Sequence, residues 1–399
     1  MRRDLLIRIT ALAGSLLIGL VVAELVLRAV GFSYPSFYGP DPVLGRANIP
    51  HAFGWFADEG GSWVEINGDG LRDREHDPAK PPGTIRIAVL GDSFAAAFQV
   101  PPEQTFWGLL QPDLQGCAAL GSRRVEAINF GVVGFGTAQE YLMLQSRVWK
   151  YQPDVVLLAF LTANDVSDNV RELKQSGQAP YFLRRDGALA LDPEFAAKSA
   201  KLAPGALDGI GNWLYARSRL VQLVAKASRS LQPGADGEGP RRTGLVEGQE
   251  PGLYEEVYRE PADPTWNEAW AVTEDLLRAI AADVRAHGAR LLLATLSNGI
   301  QVHPDPAVRQ AFAARFGIAD LFYPDRRIEA FAAAEGIPYL MLAPGMQAWA
   351  ETHRQCVHGF DNAMPCFGHW NAEGHRLAGA GIADALCRQI VPELRAAAS

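Results

Sequence analysis

Apolar and polar positions form alternating blocks along most of the chain. Short, continuous apolar runs predict buried strands at residues 84–90, 124–130, 154–160, 290–296 and 337–342. Stretches with helical spacing follow several of them, at residues 137–150, 266–287, 328–335 and 372–395. Apolar strands that alternate with helices are typical of a parallel sheet covered on both faces. We therefore expect an α/β fold, a three-layer flavodoxin-like sandwich with a mostly parallel sheet.

The first 30 residues follow a different pattern. Arg2 and Arg3 precede a run that is almost wholly apolar from Ile9 to Ala23, and counting on to Leu27 gives about 19 residues, close to the ~20 that cross a bilayer. A positive N-terminus favours a cytoplasmic start, with the rest of the chain on the other side. A cleaved signal peptide is the alternative. Because no small-x-small site precedes a polar start, we favour an uncleaved transmembrane anchor over residues 1–30.

The rest of the chain divides into an extension and one large domain. Residues 31–82 are rich in Gly, Pro and aromatic residues and form an extension or linker. The strand–helix alternation runs over residues 83–395, which we take as one domain. It breaks down at about residues 170–263, where we expect an insertion that is partly helical around 207–231. Within it, residues 232–252 have the composition of a poorly packing stretch.

Composition narrows the class of protein. An apolar content of 48% and a charged content of 21% fit a globular protein with a sizeable core. The net charge of −8 comes with no basic block beyond the N-terminus, which argues against nucleic acid as a partner. Four cysteines fit an exported protein that lacks a dense disulfide framework.

Polar turns follow three successive predicted strands. Gly91-Asp92-Ser93 follows the first, residues 131–136 (GVVGFG) the second, and residues 162–165 (TAND) the third. The carboxyl ends of parallel strands share one edge of a sheet, so these turns should converge there. The segment FGHWNAEGH, residues 367–375, precedes the last helix and should reach the same edge.

These blocks resemble the SGNH/GDSL hydrolase family. The family's ordered motifs correspond to Ser93 in GDSF, Gly134 in NFGVVGFGT, Asn164 in TAND and His369 in GHWN. The resemblance covers about residues 85–390 without the insertion. Together with the hydrophobic N-terminus, the stretch INGDGLRDRE before the serine resembles the membrane-anchored bacterial branch. It implies the SGNH hydrolase fold and a domain on the periplasmic side of the inner membrane, held by a single span.

The resemblance assigns a role to each of the four residues, and elementary chemistry agrees. A serine hydroxyl needs a neighbouring base to become a nucleophile, and His369 would be that base for Ser93. The oxyanion formed from the attacked carbonyl needs fixed donors. The backbone N–H groups of Ser93 and Gly134 and the side-chain amide of Asn164 would supply them. Asp92 is expected to fix the turn or cap the following helix.

One feature departs from the family pattern. Members commonly carry an aspartate two or three residues before the histidine, and those positions are Phe367 and Cys366 here. Asp361 is the nearest upstream acid and could orient His369 from a loop. Otherwise a backbone carbonyl would hold the imidazole, which leaves a Ser–His dyad. The sequence does not decide between them.

The span that contains His369 is also rich in histidine and cysteine, which raises the question of zinc. Residues 353–375 contain four His and two Cys, but the intervals are irregular and no paired C-x-x-C is present. We expect no metal and no cofactor, and we favour a Cys356–Cys366 disulfide. Cys117 and Cys387 are expected to be buried apolar groups. His375 should make a structural hydrogen bond at a helix start, and Trp370 should pack or form a sugar platform.

The expected reaction is acyl transfer through Ser93 and His369. We expect an esterase or deacetylase, and an exported, anchored enzyme meets acylated carbohydrate of the cell envelope, which is the favoured substrate class. Two alternatives remain open. The chain could be an O-acyltransferase, or it could be a non-catalytic carbohydrate-binding or export-accessory protein, since fold does not fix function.

Overall fold

The computed structural model describes residues 2–174, 176–185, 187–199, 208–230, 249–250 and 253–396. Within these ranges the strands are β1 (Tyr38–Asp41), β2 (Gly45–Asn48), β3 (Phe53–Phe56), β4 (Ser62–Glu65), β5 (Thr84–Gly91), β6 (Arg124–Asn129), β7 (Val155–Leu161), β8 (Phe182–Arg185), β9 (Ala188–Leu191), β10 (Arg290–Leu296) and β11 (Tyr339–Met341). The α-helices are α1 (Arg2–Ala29), α2 (Ser93–Ala96), α3 (Phe106–Asp113), α4 (Thr137–Met143), α5 (Arg171–Lys174), α6 (Pro193–Ser199), α7 (Asp208–Arg217), α8 (Arg219–Ser230), α9 (Pro264–Ala286), α10 (Gly299–Val302), α11 (Pro306–Phe316), α12 (Tyr323–Glu335), α13 (Ala343–His353), α14 (Ala372–Ala385) and α15 (Val391–Ala396).

Five parallel strands form the central sheet in the order β11-β10-β7-β5-β6. Numbered by their own chain order, this is 2-1-3-4-5, the flavodoxin-like order. The chain moves from β5 to β6 on one side and then returns to β7 on the other side of β5. The point where the order reverses lies between β5 and β7, and it opens a crevice at their carboxyl ends.

The sheet is covered by helices on both faces, as the continuous apolar runs predicted. Leu157 and Leu292 pack into a core with residues from α3, α13 and α14. The next residue of each strand, Leu158 and Leu293, packs into the opposite core with residues from α4, α9 and α12. Side chains alternate between the faces of a strand, so a strand buried on both faces must be apolar throughout. The predicted three-layer α/β fold is confirmed.

The N-terminal extension forms two antiparallel hairpins, β1–β2 and β3–β4. A third core, which includes Val64 of β4, joins them to Ala96 and Phe98, which follow Ser93. Arg72 is fully buried, and its guanidinium donates to the carbonyls of Ala96, Ala97 and Val100, at 2.6 Å to Ala96 and to Val100. The extension therefore supports the segment that carries Ser93.

The region predicted to be an insertion, about residues 170–263, contains a β8–β9 hairpin and the helices α6 to α8. The predicted helical stretch at 207–231 corresponds to α7 and α8. Most of the stretch predicted to pack poorly, residues 232–252, lies outside the described residues, which include only Gln249 and Glu250 of it. Glu250 is buried, and its contacts bring the insertion to the candidate site.

Both cysteine pairs are joined as disulfides. Cys356 bonds to Cys366, as the sequence suggested. Cys117 and Cys387, expected to be separate apolar groups, also form a disulfide, with Cα atoms 5.7 Å apart across 270 positions. That expectation was wrong because the sequence does not show that the connection before β6 and the segment after α14 are neighbours in space.

α1 is long and apolar enough to cross a membrane. Its apolar window is exposed along its whole length, unlike a core helix of similar composition. A signal sequence would have the same length and composition.

Candidate active site

Ser93 lies at the first position of α2, directly after the central strand β5. The carboxylate of Asp92 caps this helix by accepting the Phe94 N–H at 2.9 Å, so the expected role for Asp92 is confirmed. The turn requires glycine at position 91, because a Cβ there would lie 2.9 Å from Ala95 Cβ and 3.1 Å from the Ala159 carbonyl oxygen. The local sequence thus places a partly exposed serine at the carboxyl end of β5.

The segment before α14 brings His369 to this serine. His369 Nε2 lies 2.8 Å from Ser93 Oγ, although 276 positions separate the two residues. Ser and His are therefore in direct hydrogen-bond contact, the geometry a general base needs to take the hydroxyl proton. The imidazole side chain is 26% exposed, so the pair is reachable from outside.

The acid that contacts His369 is Glu59, a residue that the sequence did not single out. Its carboxylate forms a short hydrogen bond with His369 Nδ1 and also accepts the His369 backbone N–H at 2.8 Å. Asp361, one of the two alternatives for orienting His369, is exposed. The other alternative, a Ser–His dyad, does not hold either, because Ser93, His369 and Glu59 form a hydrogen-bonded chain. Glu59 lies 310 positions before the histidine, in the loop between β3 and β4, and no motif around it signals this role.

Several contacts hold the β3–β4 loop against the histidine segment. The side chain of Asn362 accepts from Gly60 N at 2.9 Å and donates to the Gly60 carbonyl at 2.7 Å. Gly61 N donates to the Gln99 carbonyl at 3.0 Å. These bonds tie the loop to the segments that carry His369 and Ser93, so they fix Glu59 relative to both.

A second carboxylate holds the backbone on the other side of the histidine. Glu250 accepts from Gly368 N at 2.7 Å and from Gly299 N at 3.1 Å. Gly368 has φ of +82°, and a Cβ there would lie 2.4 Å from the Glu59 carboxylate. Glycine is therefore required at 368. Burial raises the pKa of Glu250 to about 7, only partly offset by the two backbone bonds.

Gly134 lies in the turn after β6, next to the segment that carries Ser93. Val132 N donates to the Gly91 carbonyl at 3.2 Å, so this turn runs alongside the Ser93 turn. Gly134 has φ of +77°, and a Cβ would have open space around it, with Arg46 the nearest group at 3.8 Å. Glycine is thus needed for its backbone conformation and not because the site is crowded. Its carbonyl accepts from Lys174 Nζ at 2.7 Å.

Asn164 lies after β7, the neighbour of β5 at the crevice. Its side-chain amide donates to Asp92 at 3.1 Å, which orients Asn164 beside the serine turn.

Burial raises the pKa of Asp92, and the hydrogen bonds from Phe94 and Asn164 offset this only in part. Burial also raises the pKa values of Glu140 and Asp165 well above their ordinary range. Burial behind the serine turn thus acts in the same direction on the pKa of each of these three carboxyl groups.

Glu59 controls the protonation of His369. Burial disfavours the imidazolium, but the hydrogen bond and negative charge of Glu59 outweigh it, so the pKa of His369 is raised above its ordinary value of 6.5. Burial alone would raise the pKa of Glu59, but contact with His369 outweighs burial, so the pKa of Glu59 is lowered. The pair thus stabilises a protonated histidine beside an ionised glutamate, the state that follows proton transfer from serine.

His358 and His375 of this segment are buried and have structural partners. His358 is buried between the Gly368 carbonyl, 2.6 Å from Nδ1, and Ser297 Oγ, 2.8 Å from Nε2, and burial lowers its pKa to about 4. His375 accepts the Phe106 N–H at 3.3 Å, the structural bond that was predicted. Trp370 is fully buried and donates to Ser297, so it packs and cannot serve as a sugar platform. Within the described residues, no group of three or more His, Cys, Asp or Glu side chains could hold a metal ion.

The strand order and these contacts define an α/β protein of flavodoxin-like topology that carries a Ser–His–Glu hydrogen-bonded chain at its switch point. The sequence matches no protein-family model and no curated protein.

Solved structures resemble it at low identity. They include the acetyl xylan esterase AlAXEase, with a TM-score of 0.36 and 14% identity, covering 77% of this chain and 100% of that chain. A lipase/acylhydrolase from Enterococcus faecalis gives 0.36 and 14%, covering 76% and 95%. A protein assigned to the G-D-S-L family of lipolytic proteins, from Desulfitobacterium hafniense DCB-2, gives 0.33 and 11%, covering 75% and 99%. Because these values are low, the fold assignment rests on strand order and the functional proposal on side-chain geometry.

Proposed function

We propose that this protein is a membrane-anchored, extracytoplasmic serine esterase that acts on acyl esters, with acylated cell-envelope carbohydrate as its substrate class. The observation that carries the proposal is the chain of contacts from Ser93 Oγ to His369 Nε2, at 2.8 Å, and from His369 Nδ1 to the Glu59 carboxylate. Acyl transfer needs a nucleophile, a base and an acid that orients the base.

In the first half of the reaction, Ser93 Oγ attacks the ester carbonyl carbon while His369 Nε2 takes the hydroxyl proton. Glu59 keeps the proton of Nδ1 in place and stabilises the imidazolium that forms. The carbonyl π electrons move to oxygen and give a tetrahedral oxyanion. Collapse of this species breaks the bond to the alcohol, which leaves with the proton from His369, and an acyl-serine remains.

The oxyanion would be held by the backbone N–H groups of Ser93 and Gly134 and by the Asn164 amide. The first N–H groups of a helix have no partner within the helix, which leaves that of Ser93 available. Asn164 uses one amide hydrogen toward Asp92 and has a second one. Fixed donors of this kind lower the barrier most in the transition state.

In the second half, water attacks the acyl-serine while His369 takes its proton, and the acid is released as Ser93 Oγ recovers a proton. A sugar hydroxyl in place of water would make the same site an O-acyltransferase. The two reactions share every residue named above, so product analysis is what distinguishes them.

Two features support an extracytoplasmic location. The anchor α1 begins with Arg2 and Arg3, and positive charges favour the cytoplasmic side. Both cysteine pairs are disulfide-bonded, and disulfides persist in oxidising compartments such as the periplasm. Acylated polysaccharide of the cell envelope is accessible from that side, which is the reason for the proposed substrate class.

Turnover of p-nitrophenyl acetate by the purified full chain tests the proposal. Ser93→Ala removes the nucleophile and His369→Ala removes the base, so each should lower kcat by at least ~10³-fold. Residues that act as one unit are non-additive, so the double variant should be hardly slower than either single variant.

Asp361→Asn is the matched control, because it changes an acidic side chain of the same segment that does not contact His369 in this structure. It should keep wild-type turnover. Wild-type turnover by Ser93→Ala would disprove the serine esterase proposal and favour a non-catalytic accessory protein.

A further inference from the structure

The helices α7 and α8 of the insertion lie against the C-terminal end of α1. The Glu24 carboxylate of α1 accepts the backbone N–H groups of Arg219 and Leu220, each at 3.0 Å, and the Ser218 hydroxyl at 3.1 Å. These donors lie at the start of α8, so Glu24 caps this helix from α1. The junction fixes α8 to the anchor although almost 200 positions separate the two segments.

The amphipathic helix α8 turns its polar face toward the protein. Gln222 is fully buried and accepts the Tyr34 N–H at 2.9 Å. Arg219 donates to Ser33 Oγ at 3.2 Å, and the Lys226 ammonium lies 5.3 Å from the centre of the Tyr34 ring. The polar side chains of α8 thus contact the segment that follows α1.

The apolar face of α8 points outward. Val221, Leu223 and Val224 are 37%, 40% and 68% exposed. A soluble protein normally buries the apolar face of an amphipathic helix and exposes the polar one, so this arrangement is inverted. Helix α7 extends the surface with an exposed stripe at positions i, i+3 and i+4, namely Ile210, Trp213 and Leu214.

We propose that α7 and α8 lie in the headgroup region of the bilayer that α1 spans, and that they orient the active-site domain over the membrane. The inference rests on the proposed anchoring by α1. The Glu24 contacts hold the start of α8 against α1, so a bilayer that α1 spans lies beside the exposed apolar residues of α8. Glu24 is five residues before the end of α1, which corresponds to about 8 Å along the helix axis. Interfacial helices bury their apolar face ~5–10 Å deep.

Charge at this level suits anionic headgroups. Glu24 caps α8 and pairs with Arg28 at 2.8 Å, and the other charged residues described at this junction, Arg217, Arg219 and Lys226, are basic. Arg28 donates to the Arg217 carbonyl, and the Arg217 guanidinium lies 5.1 Å from the centre of the Trp213 indole ring. Tryptophan with nearby arginine is typical of membrane–water interfaces.

The test is nitroxide accessibility on the full chain, reconstituted in nanodiscs of phosphatidylethanolamine and phosphatidylglycerol. Single cysteines replace Val224 on α8, Leu16 in α1 and Ala314, an exposed residue of α11. The native cysteines are disulfide-bonded and do not compete for the label. At Val224 and Leu16 the ratio of oxygen to nickel-complex accessibility should be severalfold higher than at Ala314.

Each other result overturns the inference. A Val224 ratio equal to that of Ala314, with Leu16 in lipid, would show that the anchor inserts while α8 stays in water. A label at Val224 that neither reagent reaches would mean that protein covers this face. An aqueous ratio at Leu16 would remove the anchor itself. The labels do not involve Ser93, so a Ser93→Ala background should give the same ratios, and a failed esterase assay would leave this test unaffected.

Discussion

At the scale of single residues, Glu59 is the residue that orients the imidazole of His369 toward Ser93. Its carboxylate contacts both the Nδ1 atom and the backbone N–H of His369. This double contact fixes the ring orientation and leaves Nε2 pointing at Ser93 Oγ. The site thus depends on a residue from outside the segments that resemble a known family.

Glu59→Gln tests this role through the pH dependence of kcat/KM. The base must be neutral to act, so activity should rise with pH through the pKa of His369, which Glu59 holds above 6.5. Removing the negative charge should move this acidic limb to lower pH. It should also lower kcat by roughly 10²–10⁴-fold, because the imidazolium formed in the transition state loses its counter-charge.

The matched control is again Asp361→Asn, measured over the same pH range, which should leave the acidic limb in place. A larger loss or a larger shift in Asp361→Asn than in Glu59→Gln would reverse the assignment of the acid.

The residues near the strands could be predicted from the sequence, and the distant acid could not. Ser93, Gly134 and Asn164 each lie in the turn after a strand, so predicting the strands was enough to place these turns at one edge of the sheet. Glu59 follows no sheet strand and reaches the site through a hairpin loop. Its position depends on tertiary contacts such as those of Asn362, which leave no pattern in the sequence around it.

At the scale of elements, the buried strands were the most predictable part. The predicted strand at 290–296 has the bounds of β10, and the run at 84–90 differs from β5 by one residue. A strand buried on both faces has a simple apolar signature. Helix α11 was not predicted because it buries few positions, Arg309 and Phe312, so no apolar stripe marks it.

At this scale, the buried carboxyl group of Glu250 in the insertion predicts how the free energy of unfolding depends on pH. Its pKa is about 7 in the folded state and near its ordinary value of 4.5 when unfolded. A raised pKa stabilises the fold fully below pH 4.5, and this contribution is lost as pH rises to about 7. Glu250→Gln removes the titration. The free energy of unfolding of the variant minus that of the wild type should therefore increase by about 3 kcal/mol between pH 4.5 and 7.5.

Urea unfolding at a series of pH values measures this difference. Glu329→Gln, on the exposed side of α12, is the control for the loss of one carboxylate. A difference for Glu250→Gln that stays flat with pH would mean that burial beside Gly368 does not raise the pKa of Glu250.

At the scale of the whole molecule, three parts of the chain meet at one crevice. The sheet supplies Ser93 at the reversal of strand order, the extension supplies Glu59, and the insertion supplies Glu250. Both additions contact the backbone beside His369. The sheet could be anticipated from strand patterns alone, whereas the convergence of the extension and the insertion could not, because neither repeats the strand–helix alternation.

The most direct test of the central claim is labelling of the full chain with a fluorophosphonate, followed by mass mapping of the adduct. The reagent forms a phosphonyl ester only with a serine that a base activates, so a single adduct is expected on Ser93 of the wild type. Ser93→Ala should carry none, and His369→Ala should react far more slowly, since its serine has lost the base. A folded wild-type protein that takes up no reagent, or equal labelling of Ser93→Ala, would contradict the serine esterase.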